Sequence, residues 1–289
     1  MIKIIKYFLQ ASIIYFFFIV IKLIGLTLSR KLFSYLFTKI GPLIKSEIII
    51  NNNLERFMGP FNDKLKKNIK IDMWSNYGKT FVEYLYLKKF KNNHTHIQIK
   101  NYPILQKIID RNKPVIFVSG HFANFELMSM ELTKRNINLA TIYRPLNNFF
   151  LNPFMEYIRK KYVCKNQIKK GLSGVKDTIS YIKNNFSIAL MVDQRVSEGK
   201  KIPLFDQMSL TTTLPSQLAL KFNLDIVPIY ISRKKNDNFE IEFYEPITVF
   251  NKNNNETNKL DIAIKLNKIL EEMISKDPGQ WIWTHNRWK

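Results

Sequence analysis

One cysteine, Cys164, stands in a chain of 289 residues. That excludes an internal disulfide and any multi-cysteine metal site, and it suits a reducing, cytoplasmic setting. Placed between Val163 and Lys165 without a local His or a nucleophile elbow, Cys164 reads as an idle thiol. Acidic residues are also scarce: 23 Asp and Glu face 45 Lys and Arg, a net charge of +22. Such an excess attracts anions, and nucleic acid, anionic lipid headgroups and an acidic carrier protein all qualify. No RNA-recognition or zinc-finger signature accompanies it. Much of the excess is Lys dispersed among Asn and Ile, as in Lys91-Asn92-Asn93, so charge alone assigns no partner. No internal repeat is visible. No small-x-small cleavage site closes the first apolar run, which argues against a removable signal peptide.

That first run covers residues 7–21, after which Lys22 interrupts before Leu23-Ile24-Gly25-Leu26-Thr27-Leu28. Crossing the hydrocarbon core takes about 20 residues, a length reached only if Lys22 snorkels toward an interface. Lys3 and Lys6 precede the run; Lys22, Arg30 and Lys31 follow it, which favours the larger, carboxyl-terminal part on the cytoplasmic side. Residues 31–39 mix aromatic and basic side chains, as a helix in the headgroup region does. We therefore divide the chain into a membrane anchor with an interfacial helix, residues 1–45, and one catalytic domain, residues 46–289, long enough for its own core.

Beyond the anchor the pattern is α/β. Much of 53–86 is helical, with Trp74, Phe81, Tyr84 and Leu85 on an apolar face, and Asn92-Asn93-His94-Thr95-His96 reads as a solvated loop. Pro114-Val115-Ile116-Phe117-Val118-Ser119 is a buried strand, and residues 137–143 form a second strand that should neighbour it. Helices over 149–162 and 174–184, a strand over 187–192 ending at Asp193, a helix over 214–223 and a strand over 226–232 follow. Phe239-Glu240-Ile241-Glu242-Phe243 alternates strictly, which predicts one wet face. A helix over 257–274 precedes the tail.

The chemistry concentrates after the first buried strand, in Ser119-Gly120-His121-Phe122-Ala123-Asn124-Phe125-Glu126. Open α/β sheets place reactive groups at the carboxyl ends of their strands. Positions five apart lie about 140° apart on an ideal helix, so His121 and Glu126 can meet only if His121 sits in the turn before the helix. Gly120 permits such a turn. In that layout His121 is a general base and Glu126 the acid that fixes its tautomer. The alternative is a His and a Glu that merely begin a helix.

The order of segments resembles the bacterial lipid A biosynthesis acyltransferases. The resemblance rests on His121 and Glu126, on Tyr143-Arg144-Pro145, on Met191-Val192-Asp193-Gln194, and on the closing Pro278-Gly279-Gln280-Trp281-Ile282-Trp283-Thr284-His285-Asn286-Arg287-Trp288. It covers most of the chain. It implies a mixed central sheet flanked by helices, similar to the glycerolipid acyltransferases, many of which have Asp where this chain has Glu126. It further implies transfer of a fatty acyl chain from acyl carrier protein to a hydroxyl of a lipid A precursor, at the cytoplasmic side of the bacterial inner membrane, without a metal or redox cofactor. The acceptor's own hydroxyl attacks, so no enzyme nucleophile is needed. Acyl carrier protein is acidic and an anionic glycolipid carries phosphate, so both suit the basic surface.

Arg144 then becomes a candidate for holding an acceptor phosphate through paired hydrogen bonds, or else a surface Arg paired with a carboxylate. Asp193, at its strand end, is a candidate to hold Arg144, Arg195 or a sugar hydroxyl, or is a buried structural acid; Gln194 and Arg195 share these alternatives. Glu198-Gly199-Lys200-Lys201, leading to Pro203-Leu204-Phe205, resembles a further family block whose amides and ammonium groups can meet an anionic headgroup. In the tail, Trp281, Trp283, His285 and Arg287 alternate along one side of an extended segment, and we expect core packing with Arg287 in an ion pair. Two rival readings stand: an O-acyltransferase for a lysophospholipid or an aminolipid, with the same base and acid, and a non-catalytic basic protein that binds membrane or nucleic acid.

Overall fold

The protein is described from a computed structural model covering residues 1–60, 62–249 and 253–289. Helix α1 (Ile2–Ile44) breaks once, at Gly25, whose φ of 80° and ψ of 169° leave the helical region. Its first arm exposes an apolar face through Ile5, Phe8, Leu9, Phe16, Ile19 and Leu23. Among the described residues it is the one helix long and apolar enough to cross a membrane. Lys22 does not snorkel away from the protein: its ammonium donates to Leu85 O at 2.7 Å and lies 4.4 Å from the Tyr86 ring.

The stretch expected to be largely helical is so, as two helices, α2 (Glu47–Met58) and α3 (Asp63–Glu83), because Gly59 ends the first with φ 77° and Pro60 follows. Ser46 and Asn62 cap their amino ends. The second arm of α1 packs on α3 at two close approaches. A Cβ on Gly78 would stand 2.1 Å from Phe33 O, and one on Gly41 would stand 2.3 Å from the Trp74 ring. Phe17, Phe33, Phe37 and Phe81 fill the seam in a chain of ring contacts at 5.5–5.6 Å. Phe33, the fully buried ring of the four, contributes roughly 1.5–3 kcal/mol of apolar transfer energy.

There follow α4 (Leu87–Asn92), β1 (Ile97–Lys100), α5 (Tyr102–Arg111), β2 (Ile116–Ser119), α6 (Glu126–Lys134), β3 (Leu139–Tyr143), α7 (Asn152–Ile158) and β4 (Asn166–Lys169). Then come α8 (Leu172–Lys183), β5 (Ser187–Met191), β6 (Lys200–Leu204), β7 (Gln207–Thr211), α9 (Leu214–Phe222), β8 (Ile226–Arg233), β9 (Phe239–Phe243) and α10 (Glu256–Lys276). Seven strands make one sheet in the order β1-β9-β8-β2-β5-β3-β4, and β6 and β7 form a separate antiparallel hairpin. Within the large sheet, among the described residues, only β8 and β9 pair antiparallel. The architecture is the expected α/β class, with a mostly parallel central sheet flanked by helices.

Strand β2 sits at the centre and is buried throughout, so its alternation divides between two cores. Phe117 joins Trp74, Leu127, Ile231 and the tail tryptophans on one face; Ile116 and Val118 join Ile182, Leu218 and Leu266 on the other. Three sequence expectations need correction. Strand β3 does not adjoin β2, because β5 lies between them. The face of β9 expected to be wet is only partly so: Glu240 is half-buried, and Glu242 is buried, its carboxylate held by Lys100 at 2.8 Å and Lys276 at 2.5 Å. His96 is likewise buried, 4.9 Å from the Phe90 ring, and burial pushes its imidazole down to about 4. Cys164 is buried as expected of an idle thiol, with burial raising it to about 11.

Candidate active site

Register builds the site. In the parallel pair β2 and β5, Ser119 stands opposite Met191, and the Val192 N–H continues the ladder to Ser119 O at 2.9 Å. The residues two beyond each strand end, His121 and Asp193, therefore emerge side by side. His121 Nδ1 lies 2.8 Å from Asp193 Oδ1, and the His121 backbone N–H donates to Oδ2 at 2.8 Å. The Trp281 indole N–H donates to the same Oδ2 at 2.9 Å. Asp193 is fully buried. Burial alone would raise its pKa, but His121, through its charge and two hydrogen bonds, and the indole together hold it below the usual carboxylate range. An imidazole fixed in this way at Nδ1 keeps Nε2 for chemistry.

His121 precedes α6, as its spacing to Glu126 requires, yet the two side chains do not pair. The Phe125 ring lies 4.7 Å from the imidazole. Glu126, the first residue of α6, accepts from Arg159 Nε at 2.7 Å and from the Tyr84 hydroxyl at 3.0 Å. Arg159 opens a π-helical turn, residues 159–163, inserted at the end of α7. Such turns often re-aim a side chain at a functional site, and no sequence pattern marked this one.

These groups line a cleft of about 580 Å³ that extends from His121 over Glu126 and Arg159 to Arg144, Gln194 and Arg195. Phe125, Ile142, Leu146, Leu190 and Met191 supply apolar wall. Arg144 is exposed and, among the described residues, makes no ion pair, so it is not the structurally paired Arg of the alternative reading. Lys45, at the end of α1, and Lys170 also line the cleft and lay unnoticed in the sequence. Asp193, with both oxygens engaged and no exposed surface, stands behind His121, which is the buried-acid alternative of its sequence reading.

The tail packs behind Asp193. Trp281 and Trp283 are fully buried, with rings 4.7 Å apart. His285 lines the cleft and accepts the Arg195 backbone N–H at Nε2, 2.9 Å away; burial holds this imidazole below its ordinary pKa, in the neutral form that can accept. Arg287 is fully buried but has no carboxylate partner among the described residues. It donates to Leu210 O and Thr211 Oγ1 at 2.6 and 2.7 Å, and burial pulls it down to about 10. The expected ion pair is replaced by hydrogen bonds to the β7 end.

A strand-end imidazole backed by a buried carboxylate thus stands on a cleft with a basic mouth and an apolar wall, within an α/β architecture. The family model for bacterial lipid A biosynthesis acyltransferases matches residues 2–289, and the chain belongs to that family. It is therefore an acyltransferase of lipid A biosynthesis. Comparison with curated proteins gives no significant match.

Proposed function

We propose that the chain esterifies a hydroxyl of a phosphorylated lipid A precursor with a fatty acyl chain delivered as an acyl carrier protein thioester. The observation that carries this reading is the imidazole of His121, held at Nδ1 by buried Asp193 and set on the cleft.

In this reading His121 Nε2 takes the acceptor hydroxyl proton as the oxygen attacks the thioester carbonyl. The tetrahedral adduct collapses, the carbon–sulfur bond breaks, and the departing thiolate receives the proton from His121. Positioned base catalysis of this kind is worth roughly 10² to 10⁴ in rate. Asp193 steadies the imidazolium formed midway. Glu126 is retained as a site residue with a different task from the one its spacing suggested: it fixes the Arg159 guanidinium against the cleft wall. Arg144, with Lys170, Lys45 and Arg195 around the mouth, provides for the acceptor's phosphate. Gln194 is assigned to the acceptor's hydroxyls.

The net charge of +22 supports docking of an acidic carrier. The apolar exposed face of α1 supports attachment to the bacterial inner membrane, with residues 46–289 as the catalytic domain on the cytoplasmic side. Detergent-purified protein and its His121→Ala variant, given acyl carrier protein thioester with either lipid A precursor or lysophospholipid, test this by mass spectrometry. A precursor heavier by one acyl chain from wild type alone is the expected result. Product from lysophospholipid alone would transfer the enzyme to glycerolipid chemistry, and product from the variant at the wild-type rate would remove His121 from the mechanism.

A further inference from the structure

The turn that carries His121 is held from outside by one fully buried carboxylate, Glu83, at the end of α3. Asn124 Nδ2 donates to Glu83 Oε2 at 3.0 Å. Arg233, from β8, donates to both carboxylate oxygens, reaching Oε2 at 3.0 Å. Arg30, from the second arm of α1, donates Nε to Oε1 at 2.8 Å. All four side chains are at least nine-tenths buried.

Two further contacts reach the same turn. Thr80 Oγ1 donates to Ala123 O at 3.2 Å while accepting from Arg233 Nη2, and the Ala123 N–H donates to Gln280 O at 3.0 Å. Ala123 needs this hold, because its φ of 44° lies in the left-handed region that a residue with a Cβ occupies only when its surroundings impose it. Two guanidinium groups on one carboxylate, out of water, are a costly way to fill space, and apolar side chains would serve packing as well. What this arrangement adds is geometry: it ties an anchor helix, a core strand and the segment between His121 and Glu126 to one point.

We propose that Arg30, Glu83 and Asn124 form a positioning chain through which the docking of α1 sets the turn bearing His121. On this account α1 belongs to the acyl-transfer unit as well as to the membrane attachment. The inference rests on the acyl-transfer reading above. If the Glu83 carboxylate drifts, the buried Asn124 amide loses its acceptor, Ala123 relaxes from its imposed conformation, and His121 shifts against Asp193. Misplacing a reacting group by about 1 Å costs on the order of 100-fold in rate.

The test uses full-length protein in detergent and in vesicles, with Arg30→Met, Asn124→Ala and the double variant. Arg30→Met leaves Glu83 paired one to one with Arg233, so the fold is expected to survive; Arg30→Gln, which retains a donor, is the second variant should the methionine disturb packing. We expect unchanged vesicle partition and kcat lower by about 10-fold for Arg30→Met and about 100-fold for Asn124→Ala, with KM within about twofold. The double variant should be no slower than Asn124→Ala alone, because both changes act along one path. Losses that multiply, a loss that appears in KM, or full kcat in Arg30→Met would overturn the proposal. Wild-type protein without acyl transfer to any acceptor would instead overturn the reading on which it rests.

Discussion

Trp281 and Asp193 lie 88 positions apart in sequence and 2.9 Å apart in space, the indole N–H donating to the carboxylate that steadies His121. The indoles of its aromatic neighbours donate to backbone carbonyls instead, Trp283 to Pro278 O and Trp288 to Leu204 O. Trp281→Phe keeps most of the buried ring and removes the donor. Leaving a buried carboxylate short of one partner costs roughly 1–3 kcal/mol. We expect an unfolding free energy lower by that amount and kcat reduced by about 10-fold to 100-fold, measured by urea unfolding and acyl transfer on one preparation.

Asp193→Asn and Glu126→Gln separate the two acids. An amide at 193 can hold the imidazole in the wrong tautomer, and in a serine protease the equivalent change lowers kcat by roughly 10⁴. A loss approaching that size is expected for Asp193→Asn, with a smaller one for Glu126→Gln, which disturbs only Arg159 and Tyr84. Single-turnover rates decide the matter, and the reverse order would restore Glu126 as the acid behind His121.

At the cleft mouth, Arg144→Ala and Lys170→Ala should raise KM for a phosphorylated acceptor by about 10-fold to 100-fold each, the range for a charged hydrogen bond of about 1.5–3 kcal/mol. Turnover at saturation should change little, and the loss should shrink with a dephosphorylated acceptor. Steady-state kinetics with both acceptors provide the check.

His96 sets an acid limit on stability. Burial lowers its folded-state pKa to about 4 from an unfolded value of 6.5, so the unfolded chain binds the proton first. Stability is therefore fully present above pH 6.5 and declines as pH falls from 6.5 toward 4. His96→Leu should flatten the pH dependence of the melting midpoint in that window. Asp193, whose pKa is held down, retains its contribution there and loses it only as pH falls through its own lowered folded value.

Gly78→Ala tests the seam between α1 and α3. The new methyl would meet Phe33 O, a backbone atom that cannot swing aside. Overpacking of this kind costs typically 1–3 kcal/mol. A lower melting midpoint, together with protease sensitivity near Gly25, is the expected outcome.

The placement of His121 was legible because an apolar strand, a glycine and an amphipathic segment follow one another over a dozen residues, and each signal is local. Its carboxylate partner was not legible. Asp193 becomes that partner only because β5 lies beside β2, and strand order is a property of the whole sheet. The five-residue spacing pointed to Glu126 instead, since sequence distance is silent about which way a side chain leaves the first turn of a helix. Arg287 was rightly placed in the core but wrongly given an acid, because hydrogen bonds to a carbonyl and a hydroxyl leave no trace in composition. Glu240 and Glu242 suggested solvent by type alone, whereas Lys100 and Lys276 converge on Glu242 from distant elements.

The indole of Trp281 has one more implication, for synthesis. A nascent chain emerges from its amino end, so His121 and Asp193 can meet long before residue 281 exists. Until then the pair lacks its third hydrogen bond and its aromatic cover, and Ala123 lacks the Gln280 carbonyl that holds its backbone. Any product of interrupted translation that stops short of Trp281 thus carries His121 and Asp193 without the surroundings that fix them, and the site is completed only late in the making of the chain.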